Sequence, residues 1–498
     1  MACTPSRPLP AHGSPDIILV TIDTLRADRL GYVGHPAART PHLDALAQTG
    51  RVYTQATTPL TRTTPALASL LTGRDPRGHG SWEVGAEIDR TVPLLSERLH
   101  DAGWATIAVS GSPVASPKQG LGRGFETFRV LDDPPASEAV ALALDLVAEV
   151  ESRRPVFLWV HMTDPHFPYR VRPGDPAAGQ TRLCDALGRR FSNRPRQRWR
   201  IFANQDGASA AALEQCQRAY DTEVTAADAA IGQLLAGLDS RASGLVVMTS
   251  DHGENQGEGG LWYEHGPDAH DATLRIPLII RSPELAQSAD NDPARIQDIT
   301  PTILSQVGLP PLDGVAMGTD LLSNQRPEAA IGLSASALHA GLTNYLRSGR
   351  AHKRHCLNGP PEDGQAISLC SDGAFDRTLD PTLQTPASPT EATTRSLTEA
   401  AEKWPPEQAR QWVARTPTWK LIADPSLTGQ FDLRLVPVGD EDAPDQSSAH
   451  PEVRASLEAT LRHNSAGAGV PSPGSTTTST DGLSPEDDAA LKTLGYIE

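Results

Sequence analysis

Unbroken apolar runs of strand length recur along the chain, and between them apolar residues return every third or fourth position. The run Ile17-Ile18-Leu19-Val20-Thr21-Ile22, introduced by Asp16, is of the kind buried on both faces in a parallel sheet. Comparable runs lie at 105–109, 156–160, 245–248 and 276–280. Helical grammar fills the intervals. Over 40–50, Thr40 stands as N-cap, Pro41 in the first turn and Gly50 as the stop, and Thr64-Pro65 through Gly73 repeats the arrangement. Further helices are predicted over 94–102, ahead of Gly103, and over 137–152. Leu213, Cys216, Tyr220, Val224, Ile231, Leu234 and Leu238 fall mostly three or four apart and predict one long amphipathic helix. Asp298-Ile299-Thr300-Pro301 opens a capped helix ending near Gly308. Strands alternating with helices predict an α/β domain.

Beyond residue 325 the texture changes, with short strand-like pieces and a segment over 359–394 rich in Pro, Thr, Asp and Ser. The chain divides into a flexible tail over 1–15, a main domain over 16–325 and a smaller C-terminal α+β subdomain over 326–465. A Pro/Ser/Thr/Gly linker over 466–482 and a closing helix or tail over 483–498 follow. No internal repeat is visible.

Composition narrows the function. With 498 residues, 38% hydrophobic and 21% charged, the chain is an ordinary globular protein, about three domains' worth at ~150 residues each or one large domain and one small. Its 44 Lys+Arg against 61 Asp+Glu give a net charge of −17, which repels phosphate backbones and argues against nucleic-acid binding over a broad face. An anionic substrate must therefore meet a local positive site. Arg189, Arg190, Arg194, Arg196, Arg198 and Arg200 form one basic cluster, which serves equally to guide such a substrate or as a solvated, salt-bridged loop. No run of 18 apolar residues exists, so no transmembrane span is expected, and no signal-peptide core is seen. Met1-Ala2-Cys3 nevertheless has the look of a lipoprotein junction. The compartment stays open: cytoplasmic as the chain is written, periplasmic or lipid-anchored at Cys3 if a leader precedes it. The five cysteines fit two disulfides, Cys184/Cys216 and Cys356/Cys370, with Cys3 left over, or five reduced thiols.

Three separated segments place metal-type ligands at strand or helix ends: Asp23 after the first strand, Thr63 at the mouth of a helix, and Asp251-His252 after a later strand. Asp is a hard oxygen donor and His a borderline nitrogen donor, and a threonine oxygen beside a divalent cation becomes a usable nucleophile because the cation stabilises its alkoxide. The helix that follows adds N–H groups and a positive dipole end suited to a tetrahedral anion. Taken singly, Asp23 and Asp251 serve as well for caps as for ligands, and Thr63 reads as a capping hydroxyl.

At these residues the sequence resembles the sulfatase family of the alkaline phosphatase superfamily. Residues 17–28, Ile17 through Asp28, are similar to its first metal-ligand strand, and Thr40-Pro41-His42-Leu43-Asp44-Ala45-Leu46-Ala47 to the helix after it. Leu70-Leu71-Thr72-Gly73-Arg74 with His79-Gly80, Asp164-Pro165-His166-Phe167-Pro168-Tyr169, Ser250-Asp251-His252-Gly253-Glu254 and Arg275-Ile276-Pro277-Leu278 resemble family motifs in the family's order. The resemblance covers 16–322 and implies a large alkaline-phosphatase-like α/β/α sandwich with a mixed, mostly parallel sheet. Trp419-Lys420-Leu421-Ile422 and the closing Leu494-Gly495-Tyr496 resemble the usual C-terminal part. One departure is decisive. The signature Cys/Ser-x-Pro-x-Arg falls on Thr63-Thr64-Pro65-Ala66-Leu67, so the residue that family members oxidise to formylglycine is threonine and the signature arginine is leucine. No formylglycine is expected, and a threonine ester must be cleaved by water at sulfur or phosphorus, which raises phosphate and phosphonate esters against sulfate esters.

Carried over by position, the resemblance implies that Asp23, Asp251 and His252 hold one divalent cation and that Thr63 is the nucleophile. His166 would bind the anionic oxygens of the ester, and His265 would protonate the leaving group, with His270 competing for that role. Arg74 and His79 orient the nucleophile helix or touch the anion. The cation is Ca2+, Mn2+ or Zn2+, since His252 stands where calcium sites offer an amide oxygen. No clear second set of ligands is found. The partner is a small or oligomeric anionic ester, and the oligomeric state is open. The competing class is a degenerate member that binds metal or anion without turnover.

Overall fold

A computed structural model of the chain describes residues 14–169, 184, 209–258, 262–265, 270–314, 317–323, 330–333, 356–358, 367–370, 373–376, 386–387, 412–425, 431–440 and 443–466. The basic cluster between Arg189 and Arg200, the linker over 466–482 and the closing segment lie outside them, apart from the linker's first residue, Ala466.

The main domain is an eight-stranded sheet in the order β4-β3-β5-β1-β6-β7-β2-β8. The apolar runs supply its centre: β1 (Ile17–Ile22), β5 (Val156–Met162), β6 (Leu245–Ser250) and β3 (Ala105–Ser110), every residue of which is buried. At about 1.5–3 kcal/mol for each fully buried Val, Leu or Ile, such runs are stable only with both faces covered. β1 pairs in parallel with β5 and β6, and β3 in parallel with β5 and with the short β4 (Thr127–Val130). β7 (Leu278–Arg281) runs antiparallel to both β6 and β2 (Arg51–Thr57), and β2 pairs in parallel with the edge strand β8 (Ser288–Arg295). The sheet is mixed and mostly parallel, as expected.

Alternate strand residues go to opposite faces. Ile18, Val20, Leu158, Val160 and Met248 pack under α1 (Pro41–Thr49), α5 (Ala136–Ala148) and α6 (Ala210–Leu238). Ile17, Leu19, Phe157, Trp159 and Val247 pack under α2 (Thr63–Thr72), α4 (Leu95–Asp101) and α8 (Ile299–Gln306). Two short helices complete the order, α3 (Pro76–His79) and α7 (Asp271–Leu274). Thr40 occupies the N-cap of α1 without capping it: its hydroxyl donates to Asp44 Oδ1 at 3.0 Å and accepts Gly31 N–H at 2.9 Å.

Of the two readings of the cysteines, the Cys184/Cys216 disulfide is not formed: both are buried thiols, packed in the apolar cluster under α5 and α6. Cys356 and Cys370 are register partners on antiparallel β10 (Cys356–Asn358) and β11 (Ile367–Cys370), strands of a small sheet completed by β12 (Gly373–Asp376) and β13 (Pro386–Ala387).

A third sheet of order β16-β15-β14-β9 gathers β9 (Ala330–Leu333), β14 (Trp412–Arg415), β15 (Trp419–Pro425) and β16 (Phe431–Pro437) in antiparallel pairs. Leu421, Ala423 and Leu435 pack on Leu457 and Leu461 of α9 (Pro451–Ala466) and on Leu60 of the main domain. Val413, Ile422 and Val436 pack on Leu274 of α7. No helix among the described residues is long and apolar enough to cross a membrane.

Candidate active site

The carboxyl ends of β5, β1 and β6, three adjacent parallel strands, open onto one point, where ligands of open α/β sheets bind. β1 delivers Asp23 and β6 delivers Asp251 and His252, all fully buried, with one ligand atom from each lying within 4.8 Å of the others. The chain turns sharply after Asp23. Thr24 has φ 56°, a conformation costing a β-branched residue about 1–3 kcal/mol, and it is held by Thr24 N–H to Asp251 Oδ1 at 3.2 Å and by the Tyr220 hydroxyl donating to Thr24 O at 2.8 Å.

Asp251 Oδ1 is satisfied by the amides of Thr24 and His252, whereas its Oδ2 is buried without a hydrogen bond. Burial pushes this carboxyl above the ordinary range. His252 Nδ1 donates to Gly253 O at 2.9 Å, which turns Nε2, and its lone pair, toward Asp251 Oδ2 at 3.3 Å and Asp23 Oδ1 at 3.9 Å. Burial pushes this imidazole down to about 3, so it does not serve as the missing positive charge. Two carboxylates and an imidazole lone pair converging in a buried site fit a divalent cation, and the Nδ1 bond to a backbone carbonyl is the usual support of a ligating histidine.

Thr63 is the first residue of α2, and its Oγ1 lies 3.4 Å from His252 Nε2. Its neighbour is engaged elsewhere: Thr64 Oγ1 donates to Val114 O at 2.8 Å and accepts Gly85 N–H at 2.9 Å. Leu67, at the signature arginine position, is buried in the apolar layer. His79 Nδ1 accepts Ser81 N–H at 3.1 Å, so Nε2 donates to Ser69 Oγ at 2.9 Å, which ties α3 to α2; Arg74 donates to Gly78 O and Asp313 O. These contacts are structural.

His265 is 4% exposed, its ring stacked on His252 with centroids 4.1 Å apart and its Nε2 3.3 Å from His166 Nε2. Both rings are anchored through Nδ1, His265 to Thr61 O at 3.2 Å and His166 to Phe167 O at 2.6 Å. Burial pushes His166 down to about 4 and His265 well below its ordinary value. His270 stands instead at the N-cap of α7. The structure therefore brings Asp23, Thr63, His166, Asp251, His252 and His265 together.

Two supports escaped the sequence reading. Glu254, pushed up to about 8 by burial, takes the Tyr169 hydroxyl on one oxygen and Phe167 N–H on the other at 3.3 Å, and so fixes the His166 loop. His161, inside β5, places its Nε2 3.9 Å from Asp23 Oδ2. Its signal was a lone histidine set between Val160 and Met162 in an otherwise apolar run.

The sulfatase family profile matches residues 15–309. An ulvan-active sulfatase of Formosa agariphila is 27% identical over 358 residues, 63% of this chain and 66% of that protein. A choline-sulfatase of Rhizobium meliloti is 24% identical over 413 residues, 70% of this chain and 80% of the relative. Among solved structures, phosphonate monoester hydrolase of Agrobacterium radiobacter shares the fold with a TM-score of 0.64 at 16% identity, over 91% of this chain and 95% of that one. The chain belongs to the sulfatase family, a family of metal-dependent ester hydrolases.

Proposed function

We propose that the chain hydrolyses anionic esters with Thr63 as nucleophile, and that phosphate or phosphonate esters are favoured over sulfate esters. The observation that carries this reading is the Thr63 hydroxyl at the start of α2, 3.4 Å from His252 Nε2 and beside the buried carboxylates. Asp23, Asp251 and His252 would hold one divalent cation, Ca2+, Mn2+ or Zn2+, which supplies charge stabilisation for the threonine alkoxide and the ester oxygens.

Thr63 Oγ, its proton given up to solvent, would attack sulfur or phosphorus as the leaving alcohol oxygen takes a proton from protonated His265, and water, passing a proton back to His265, would then cleave the threonyl ester and release the acid. His166 faces the anion. Burial favours the neutral form of both histidines, and an arriving ester brings negative charge that favours their protonated forms. Thr63 cannot form the aldehyde hydrate through which family members expel sulfate, which supports phosphorus esters.

The test is metal-replete turnover of nitrophenyl sulfate, phosphate monoester, phosphodiester and phosphonate substrates. Wild type is expected to prefer phosphorus esters, and Thr63→Ala to lose on the order of 10³-fold or more in kcat while folding normally. Turnover indifferent to Thr63 removes this mechanism. Absence of turnover on every ester favours the degenerate binding protein, to which Leu67 in place of arginine points.

A further inference from the structure

Behind Asp23 stands a histidine that this reaction does not use. His161 is the register partner of Thr21 across β5 and β1, and Asp23 N–H to Met162 O at 2.8 Å carries the pairing past the end of β1. Side chains on a strand repeat every second residue, so Trp159 and His161 share a face with Thr21 and Asp23. The four form one buried file. Trp159 Nε1 donates to Thr21 Oγ1 at 2.9 Å, Thr21 Oγ1 lies 2.9 Å from His161 Nδ1, and His161 Nε2 lies 3.9 Å from Asp23 Oδ2.

Donor chemistry fixes the direction of this file. An indole N–H only donates, so the Thr21 oxygen is the acceptor there and its single hydrogen is left for His161 Nδ1. Were Nδ1 protonated, the hydrogen of the fully buried Thr21 hydroxyl would have no acceptor among its described contacts. The ring proton therefore sits on Nε2, which makes no hydrogen bond as placed and faces the carboxylate.

We propose that His161 is a positioning residue that donates from Nε2 to Asp23 Oδ2 and thereby presents Oδ1 to the cation site. The proposal rests on the reading of Asp23, Asp251 and His252 as cation ligands. The two oxygens are already sorted, Oδ1 lying 3.9 Å from His252 Nε2 and Oδ2 3.9 Å from His161 Nε2. A small side-chain rotation closes the outer gap to hydrogen-bond distance. Thr21 and Trp159 hold the ring in the tautomer that can donate, as second-layer partners do for ligating groups.

The test titrates Mn2+, Ca2+ and Zn2+ calorimetrically into chelator-stripped wild type, His161→Leu, His161→Gln and Thr21→Val. His161→Leu is expected to weaken binding about 10–100-fold, His161→Gln to restore most of it through its amide N–H, and Thr21→Val to fall between. In ¹⁵N-histidine NMR of the stripped wild type, His161 is expected with its proton on Nε2, and Thr21→Val is expected to mix the tautomers. Equal affinities of wild type and His161→Leu, or a proton on Nδ1 in the wild type, overturn the proposal while the cation reading stands. No binding of any of the three cations to the wild type overturns the cation reading, and the proposal with it. Should His161→Leu fail to fold, the wild-type tautomer and the Thr21→Val affinity still decide.

Discussion

Two buried charged clusters in this molecule are built on opposite terms. At the strand ends, Asp23 and Asp251 face an imidazole lone pair, and Asp251 Oδ2 has no hydrogen bond. At the seam with the C-terminal sheet, Asp271 takes Arg415 Nε at 3.2 Å on each oxygen, Arg415 Nη2 at 3.0 Å and Lys420 Nζ at 3.1 Å, while Arg415 also donates to Gln55 at 2.9 Å. Burial raises the Asp251 carboxyl; at Asp271 burial is outweighed by Lys420 and Arg415, which hold it well below the ordinary range. Where the chain supplies its own cations it makes a joint, and where it withholds them it leaves the carboxylates that we propose take one from outside.

The largest effect expected from breaking the contrast is at the joint. Asp271→Asn leaves Arg415 and Lys420 buried around a neutral side chain and should cost about 3–5 kcal/mol in urea unfolding. The same change at the strand ends, Asp251→Asn, should leave the chelator-treated protein as stable as wild type or more so, because it removes a carboxylate whose burial outweighs the contacts that favour its charge. Next comes the response to cation. At about 100 times Kd, wild type should gain about 2.7 kcal/mol in thermal unfolding, Asp271→Asn should gain as much, and Asp251→Asn should gain little.

Opposite pH slopes sharpen the contrast further. A carboxyl whose folded pKa is depressed stabilises above its ordinary value, 3.8 for Asp271, and that contribution is lost as pH falls below it. A carboxyl whose folded pKa is raised favours the folded state at low pH, so the chelator-treated protein should lose stability, relative to Asp251→Asn, as pH rises above 3.8. Urea unfolding of wild type and both variants across this range reads the two slopes. The smallest effect belongs to the neighbouring threonines. Thr64→Val, which loses the bonds to Val114 O and Gly85 N–H, should cost about 1 kcal/mol in the same assay and leave the Thr63 hydroxyl in place.

What the sequence made legible follows from this division of labour. β1, β5 and β6 are apolar throughout because both faces are covered, and their ends identified Asp23, Asp251 and His252. β8, with the sequence SADNDPAR, is paired through its backbone at a half-exposed edge and carries no periodic signal. His265 was found by resemblance, since nothing in its loop announces that it stacks on a residue 13 positions earlier. His161 was hidden because the run seemed to end at Val160, and the file through Thr21 exists only once two distant strands are in register. The Arg415 and Lys420 cluster needed the fold, its partners lying 144 and 149 residues apart.

Gly253 ties the two clusters together. A Cβ there would lie 2.0 Å from Ala272 O, and its N–H donates to Thr273 O at 2.8 Å, so the residue after His252 is clasped against α7, the helix whose first residue is Asp271. The C-terminal sheet is therefore no interchangeable cassette. A change in how Arg415 and Lys420 seat on Asp271 is expected to reach the backbone under His252 through the four residues of α7.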